Sequence, residues 1–190
     1  MIYQLAWNLN PGGKDWGTCF FIRINNLDYC VTARHVLPRI VGDFQVGIRE
    51  ENKGFNDGWI KIIRPILHPL ADLAIVMGDW SDVPYTPYNL GSSGAVGDNV
   101  AMLGAANTSC DTGPLGVNIG LNGNIQNIFP DNHLKWVNKE FDVDFSHIPG
   151  CSGAPVLNND NGVIGIYSRD SGNKNVKCSD INNIYDIICQ

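Results

Sequence analysis

Three residues of this sequence have the types and the order that nucleophilic chemistry at a carbonyl group requires: His35, Asp72 and Ser152. A serine hydroxyl is a weak nucleophile until a neighbouring base removes its proton, and a carboxylate commonly orients that base. Gly150 and Gly153 flank the serine and allow a tight backbone turn. In such a turn, the amides of Gly150 and Ser152 can point to one spot and stabilise an oxyanion there.

Each assignment has a rival in the sequence. Cys151 adjoins the serine, but the glycine two residues before the serine favours the hydroxyl, and we interpret Cys151 as a small buried side chain. Asp79 and Asp82 compete with Asp72, but only Asp72 directly precedes an apolar, β-prone segment in which it would be desolvated against the imidazole. A strand-capping Asp72 and a His35 satisfied within the core are the purely structural alternatives.

The elements that must position these residues have the pattern of a turn-rich β protein. Short β-prone segments alternate with stretches rich in Gly, Pro, Asn and Asp. The predicted strands are 2–7, 19–22, 29–32, 45–49, 59–64, 73–77, 99–103, 117–128, 134–143, 154–157 and 163–168. The end differs, because Ile181, Ile184, Tyr185 and Ile188 recur at helical spacing. We therefore expect a C-terminal helix with Ser179 as its N-cap.

Four segments, taken in order, resemble the trypsin-like (chymotrypsin-fold) serine proteases, and most closely the bacterial HtrA/Deg type. Residues 17–22 resemble the strand that opens the first barrel, and residues 32–36 resemble the histidine motif. Residues 90–104 resemble the entry to the second barrel, and residues 144–166 resemble the serine motif. The order histidine, aspartate, serine is that of this family and differs from the order in subtilisins and in α/β-hydrolases. One motif alone would be weak, but four in order are specific.

The resemblance implies an all-β fold made of two six-stranded antiparallel Greek-key barrels, with a short C-terminal helix. It places the N-terminal barrel, with the histidine and the aspartate, at 1–80 and the C-terminal barrel, with the serine, at 99–190. The stretch 81–98 contains two prolines and lacks periodicity, so we predict it to be the linker between the barrels.

The resemblance also implies a serine endopeptidase that works through an acyl-enzyme. In that assignment Ser152 is the nucleophile, His35 the base and Asp72 the residue that orients the base. The amides of Gly150 and Ser152 form the oxyanion hole. The alternative is a catalytically silent scaffold or binding module of the same fold, and the absence of a following PDZ domain departs from the HtrA type.

The family builds its specificity pocket from residues before the nucleophile and from a later strand. Carried over, the substrate-binding residues are Ser146, His147, Tyr167, Ser168, Arg169 and Asp170. Ser146 matches the base of the pocket, and the lack of a carboxylate there argues against cleavage after Arg or Lys, although Asp170 leaves this open. His147 would favour an acidic or polar side chain if it faces the pocket. The strand 168–170 is expected to pair with an extended substrate.

Activation is expected to differ from that of the digestive enzymes in the family. In those enzymes an aspartate before the nucleophile pairs with a newly cut N-terminal amine, whereas this chain has Cys151 there. The loop 147–152 must therefore be ordered by other contacts, and Pro149 stiffens it by fixing one dihedral angle. We expect no N-terminal trimming, and control by a regulatory domain or a partner chain.

Composition excludes several other classes of function. The formal charge is −6 and no stripe of Lys and Arg occurs, which argues against a nucleic-acid partner. No apolar run is long enough to span a membrane, and residues 1–10 lack the basic start and the apolar core that are typical of a signal peptide. We expect a cytoplasmic protein, or a secreted one if a leader was removed, and the chain can be the protease part of a longer protein. The expected partner is a protein or peptide substrate.

The six cysteines are interpreted mainly as free thiols of a reducing compartment. Cys19 and Cys30 lie on the two arms of a predicted hairpin, whose symmetric register places Cys30 near Ile22 rather than near Cys19. His68 and His133 are predicted to be surface or loop residues. Since no Cys-x-x-Cys pair or His-Glu-x-x-His helix occurs, we expect no metal site and no cofactor.

Overall fold

The computed structural model of the protein describes residues 1–6, 16–39, 42–50, 58–106, 117–129, 139–172 and 175–189. Within these ranges the chain forms two closed antiparallel β-barrels of six strands each, a further two-residue strand and a short C-terminal helix. The predicted fold class is confirmed. Part of the predicted strand 134–143, and His133 before it, lie outside the described residues.

The first barrel forms from the N-terminal part of the chain. Its strands are β1 (Ile2–Ala6), β2 (Trp16–Ile24), β3 (Leu27–Thr32), β4 (Phe44–Arg49), β5 (Trp59–Leu67) and β6 (Ala74–Gly78). They pair in the order β1-β4-β5-β6-β3-β2, and a further β1–β2 pairing closes the barrel. Apolar side chains such as Phe20, Ile48 and Ile75 fill its interior. A single 3-10 turn, Arg34–Val36, follows β3.

The β2–β3 hairpin is tighter than the sequence suggested. Its two turn residues, Asn25 and Asn26, have φ values of 51° and 64°, a conformation that asparagine tolerates better than most residues and that suits a two-residue hairpin. This turn places Cys30 opposite Phe21, one residue away from the predicted partner. Cys19 is then the diagonal neighbour of Cys30, and the two thiols share a hydrogen bond, contrary to the prediction that they would not meet.

The second barrel begins after a connecting segment that contains β7 (Tyr88–Asn89), which pairs in parallel with β2. Its strands are β8 (Asn99–Ala106), β9 (Val117–Phe129), β10 (Glu140–Val143), β11 (Pro155–Leu157), β12 (Val163–Gly172) and β13 (Asn175–Asp180). The closed order is β10-β13-β12-β11-β8-β9. Leu157, Val163 and Ile166 of this barrel belong to the same apolar cluster as the core of the first barrel, so the two barrels pack directly together.

The chain ends in a 3-10 turn, Ile181–Ile184, that continues into the short helix α1 (Tyr185–Ile188). The cap of this segment is Asp180, whose Oδ1 accepts a hydrogen bond from the backbone N–H of Asn182 at 2.8 Å. The prediction of Ser179 as the cap is wrong, because Ser179 still belongs to β13 and is fully buried there.

Candidate active site

His35 and Asp72 lie together at the ends of two neighbouring strands of the first barrel. His35 is on the turn after β3, Asp72 lies just before β6, and β3 pairs with β6. The Nδ1 atom of His35 is 2.6 Å from Oδ2 of Asp72, and the backbone N–H of His35 donates to Oδ1 at 2.9 Å. Because Nδ1–H donates to the carboxylate, the lone pair of Nε2 is left to accept a proton.

The carboxylate of Asp72 is kept ionised by its partners. Burial alone would raise its pKa, but the hydrogen bonds and charge of His35 and the hydroxyl of Ser168 outweigh burial, and the pKa of Asp72 is lowered. The Ser168 hydroxyl donates to the same oxygen that His35 contacts. Ser168 was predicted only as a substrate-binding residue, and no pattern in the sequence indicated its contact with Asp72.

The rival carboxylates have other partners. Oδ1 of Asp79 accepts a hydrogen bond from the backbone of Ser81 at 3.0 Å. The carboxylate of Asp82 contacts the ammonium group of Lys61. Asp72 is therefore the carboxylate, among these three, that contacts His35.

His68 orders the turn that carries Asp72. Its Nδ1 atom accepts hydrogen bonds from the backbone of Leu70 at 3.1 Å and of Ala71 at 2.7 Å, while Nε2 lies 3.1 Å from Oδ2 of Asp186 on α1. The prediction of His68 as a surface or loop residue is wrong in one respect, since only 3% of it is exposed. No sequence signal linked it to Asp186, which lies more than a hundred residues later.

The turn around Ser152 depends on two glycines with positive φ, 90° at Gly150 and 92° at Gly153. A Cβ atom at Gly153 would lie 2.1 Å from the carbonyl oxygen of Thr18 on β2. Only glycine fits there, because it tolerates this backbone conformation and lets the first barrel approach the turn. Glycine is needed in addition at position 17, where a Cβ would lie 2.6 Å from the carbonyl oxygen of Ser152.

Two amides of this turn have no acceptor among the described residues: those of Gly150 and Ser152. The intervening N–H of Cys151 donates to the carbonyl of Ile148 at 3.3 Å, and the N–H of Gly153 donates to Tyr167 at 2.8 Å. Since unpaired backbone donors usually await water or a ligand, the two remaining amides can receive an oxyanion, as the sequence suggested.

The hydroxyl of Ser152 donates to the carbonyl oxygen of Ser168 at 3.2 Å. Within the described part of the chain it has no hydrogen bond with His35. Catalytic hydrogen bonds are often long or misaligned in the free enzyme and tighten when substrate binds. Ser168 links the serine to the other two residues, because its carbonyl contacts Ser152 and its hydroxyl contacts Asp72. The hydroxyl of Ser152 therefore points toward β12 rather than toward His35.

Cys151 is unsuited to replace the serine. Its side chain is fully buried and points into the second barrel, where a Cβ at Gly104 would lie only 2.6 Å from its Sγ. Burial raises the pKa of the Cys151 thiol to about 12. It is therefore protonated at neutral pH, and a thiol is far less nucleophilic than a thiolate.

Thr18 anchors the turn from the opposite barrel. Its hydroxyl donates to the carbonyl of Gly150 at 3.0 Å and accepts from the backbone N–H of Ala105 at 2.9 Å. The backbone N–H of Thr18 also donates to the carbonyl of Ser152 at 2.7 Å. No pattern in the sequence indicates this role of Thr18, because the contact joins residues 132 positions apart.

Tyr167 supports the loop before the nucleophile from below. The residue is fully buried, and its hydroxyl accepts from the backbone of Ile148 at 2.9 Å and donates to the carbonyl of Ser146 at 3.4 Å. Burial raises the pKa of Tyr167 to about 12, so it remains a hydrogen-bond donor at neutral pH. Its ring stacks with Phe145 at a centroid distance of 6.4 Å.

The other predicted substrate-binding residues differ in exposure. Ser146 and His147 are exposed on the loop, and Arg169 and Asp170 are exposed on β12. Tyr167, by contrast, is fully buried in the core of the second barrel, and its hydroxyl contacts the loop at Ser146 and Ile148. Among the residues that the structure describes, no cluster of His, Cys, Asp and Glu suits a metal ion, and no helix is long and apolar enough to cross a membrane.

Comparison with solved structures supports the fold assignment. The active form of the Rv3671c protease from M. tuberculosis is similar with a TM-score of 0.73 and 16% identity, over 99% of this chain and 79% of that chain. The serine endoprotease from Yersinia pestis has a TM-score of 0.69 and 17% identity, over 98% and 61%. The HtrA-type protease AlgW has a TM-score of 0.65 and 18% identity, over 90% and 50%.

Sequence comparison identifies the family. None of the curated proteins matches the chain. The family described as the trypsin-like peptidase domain matches residues 17–166, which include His35, Asp72 and Ser152. The chain belongs to this family of trypsin-like peptidase domains, which classes it as a serine endopeptidase, a hydrolase.

Proposed function

We propose that the protein hydrolyses peptide bonds through an acyl-enzyme with the triad His35, Asp72 and Ser152. The observation that carries the proposal is the two-point contact of His35 with Asp72, which orients Nε2 as a base. The residue order and the turn around Ser152 add independent support. The substrate is a protein or a peptide, as for the proteases with which the chain shares its fold.

In the proposed reaction, Oγ of Ser152 forms a bond to the substrate carbonyl carbon while its proton passes to Nε2 of His35. The carbon–nitrogen bond then breaks, and the leaving amine takes that proton. Water attacks the resulting ester with His35 again as the base, which releases the acid and restores the serine. Asp72 holds the imidazole in its tautomer and stabilises the imidazolium.

Charge that develops on the carbonyl oxygen would be received by the amides of Gly150 and Ser152. Loss of one such donor typically lowers kcat by about 10²–10³-fold. The exposed edge of β12 at 168–170 would pair with the substrate backbone, and Ser146, His147 and Tyr167 would bound the side chain before the scissile bond. These are the substrate contacts that we assign.

A silent scaffold is the second candidate. It is favoured by the hydrogen bond from Ser152 to the carbonyl of Ser168, which takes the hydroxyl away from His35. A scaffold of this kind would retain partner binding without turnover. The two candidates differ in whether the serine reacts.

Labelling with a fluorophosphonate tests the proposal. We expect the folded protein to be labelled and to cleave casein, and both signals to vanish in Ser152→Ala. Cys151→Ala is the matched control, since it changes the adjacent buried residue and should retain labelling. Absence of labelling in the intact, folded wild type would refute the triad assignment and favour the scaffold.

We also propose that the protein lies in a reducing compartment, the cytoplasm, and that a partner chain or an attached domain controls its activity. The first rests on cysteines that are free in the described residues, four of them buried. The second rests on the resting position of Ser152, which a partner that closes the cleft would change. Fractionation of native cells and a comparison of labelling rates with and without cell extract test these two points.

A further inference from the structure

A cleft with a volume of about 610 Å³ opens beside the candidate triad, between the two barrels. His35 and Asp72 form one wall. Much of the remaining wall consists of three arginines and three leucines: Arg34, Arg39, Arg169, Leu37, Leu67 and Leu70. The cleft is therefore both basic and partly apolar, in a chain whose formal charge is −6.

The positive charge of the cleft is not neutralised by its own acids. Glu140 lies in the cleft, but its carboxylate is shared between Arg169 at 3.5 Å and Lys177 at 3.4 Å. Arg34 donates from Nη1 to the neutral carbonyl of Pro69 at 2.8 Å. Neither Arg34 nor Arg39 has a carboxylate partner within the described ranges. An added carboxylate could thus pair with Arg34 or Arg39 without displacing a carboxylate that the described residues supply.

The cleft lies where the part of a substrate that is N-terminal to the scissile bond is expected to run. β12 pairs with β13 on one edge, while its pairing with β11 ends at Ile166, so the edge from Ser168 onward is open within the described residues. A peptide that pairs antiparallel with this edge runs toward Ser152. Its residues N-terminal to the scissile bond then pass Arg169 and enter the cleft.

We propose that this cleft is a substrate subsite for an acidic side chain, glutamate or aspartate, located two to four residues N-terminal to the scissile bond. The proposal rests on the proposed endopeptidase function, because it uses the same substrate direction. The leucines cover the methylene groups of the bound side chain, and the arginines pair with its carboxylate. Arginine suits this task because its planar group can bind a carboxylate through two hydrogen bonds.

The expected size of the preference follows from the exposure of the arginines. The side chain of Arg169 is 61% exposed, so each ion pair forms in solvent that screens it. Exposed pairs typically change an equilibrium by up to about fivefold, and salt weakens them. Two pairs together should give roughly tenfold discrimination between glutamate and glutamine at low salt.

The test measures binding separately from cleavage. Three fluorescent peptides that differ only in Glu, Gln or Lys at the third residue before a central alanine are titrated against the Ser152→Ala protein by anisotropy. We expect the affinity to be highest for the Glu peptide, lower for the Gln peptide and lowest for the Lys peptide, with differences that shrink at high salt. Arg39→Gln with Arg169→Gln should remove the difference in affinity between the Glu and Gln peptides.

Two further variants make the result specific. Arg39→Glu should reverse the order of the Glu and Lys peptides. Arg23→Gln is the matched control, because Arg23 is an exposed arginine paired with Asp28 at the far end of β2 and should change nothing. Equal binding of the three peptides, or a preference that survives the double substitution, would overturn the subsite.

Cleavage of the same peptides by the wild type separates the two proposals. If all three are cleaved equally fast, the endopeptidase assignment stands and the subsite is wrong. If Ser152→Ala prefers the Glu peptide while the wild type cleaves none and resists fluorophosphonate, the subsite stands and the endopeptidase assignment is wrong.

Discussion

At the scale of single residues, Asp72 shows how a buried charge is maintained. Only 15% of its side chain is exposed to solvent, and this degree of burial disfavours the ionised form. Two donors from His35 and one from Ser168 reverse that effect. The two contacts from His35 also orient the imidazole, so charge stabilisation and positioning depend on one carboxylate.

Asp72→Asn should therefore affect both activity and acid stability. We expect kcat to fall by about 10⁴-fold, because the amide no longer selects the required tautomer of His35. Since the pKa of Asp72 is lowered on folding, the unfolded state binds more protons near the ordinary pKa, and stability rises with pH there. The wild type loses this stability as the pH falls through the lowered pKa, and the variant should lose less.

Thermal melting across the acid range, with kcat measured at neutral pH, checks both parts. Asp79→Asn is the matched control for kcat, because that carboxylate accepts a hydrogen bond from the backbone of Ser81 and does not contact the histidine. An unchanged acid slope in Asp72→Asn would contradict the role given to its charge.

Tyr167 should limit the size of the residue that precedes the scissile bond. Its buried phenol fills the space below the loop at Ser146, and Ser146 offers no carboxylate to a cation. We expect cleavage after small uncharged residues and poor cleavage after Arg or Lys. Tyr167→Val should admit larger apolar residues, whereas Tyr167→Phe, which keeps the ring, should not. Profiling with a peptide library measures this, and a dominant Arg or Lys signal would contradict it.

At the scale of elements, the turn around Ser152 is held from two strands that belong to different barrels. Thr18 on β2 holds the carbonyl of Gly150, and Tyr167 on β12 holds the preceding loop. The peptide between Gly150 and Cys151 is thereby bonded at both its oxygen and its nitrogen. We expect these hydrogen bonds to order the loop in place of the aspartate–amine ion pair of the digestive enzymes, so that no N-terminal trimming is needed.

Thr18→Val should loosen this turn while it preserves side-chain shape. The variant loses the bond to Gly150 and leaves the buried amide of Ala105 unpaired, which typically costs about 1–3 kcal/mol. We expect kcat to fall by about tenfold or more with little change in KM, because the turn acts on the developing oxyanion. Thr18→Ser retains the hydroxyl and should restore kcat. Equal kcat in Thr18→Val and the wild type would exclude this positioning role.

At the scale of the whole molecule, stability comes from two packed barrels without bridges among the described cysteines. Cys19, Cys30, Cys151 and Cys178 are buried as free thiols, and Cys189 is exposed. Cys110 lies outside the described residues. Burial, together with the hydrogen bond to Cys19, raises the pKa of Cys30, so these thiols act as packed apolar groups.

Reducing agent should therefore leave Tm nearly unchanged. A structural bridge contributes about 2–5 kcal/mol, and its loss would lower Tm by roughly 4 °C or more in a chain of this size. Calorimetry with and without reductant measures the difference. Cys189→Ser is the control that removes any link between chains through the exposed thiol. A fall of many degrees in that variant would contradict both the free thiols and the proposed reducing compartment.

The fold class and the family could be predicted from the sequence, because both depend on local patterns. Short alternating strands, glycines around one serine and four motifs in order are readable from neighbouring residues. The candidate triad could be named on the same basis, since each member stands at a strand end or in a glycine turn. The choice of Asp72 over Asp79 and Asp82, and of Ser152 over Cys151, depends on burial and contacts that the sequence does not show.

The groups that hold these candidates in position became visible only in three dimensions. Thr18, His68 and Ser168 act through hydrogen bonds to residues distant in sequence or in the other barrel, and such contacts leave no periodic trace in the chain. The same holds for the basic cleft, whose arginines are scattered along the sequence and converge because the two barrels pack edge to edge. The register of the β2–β3 hairpin was also decided in three dimensions, by two asparagines that adopt a positive φ.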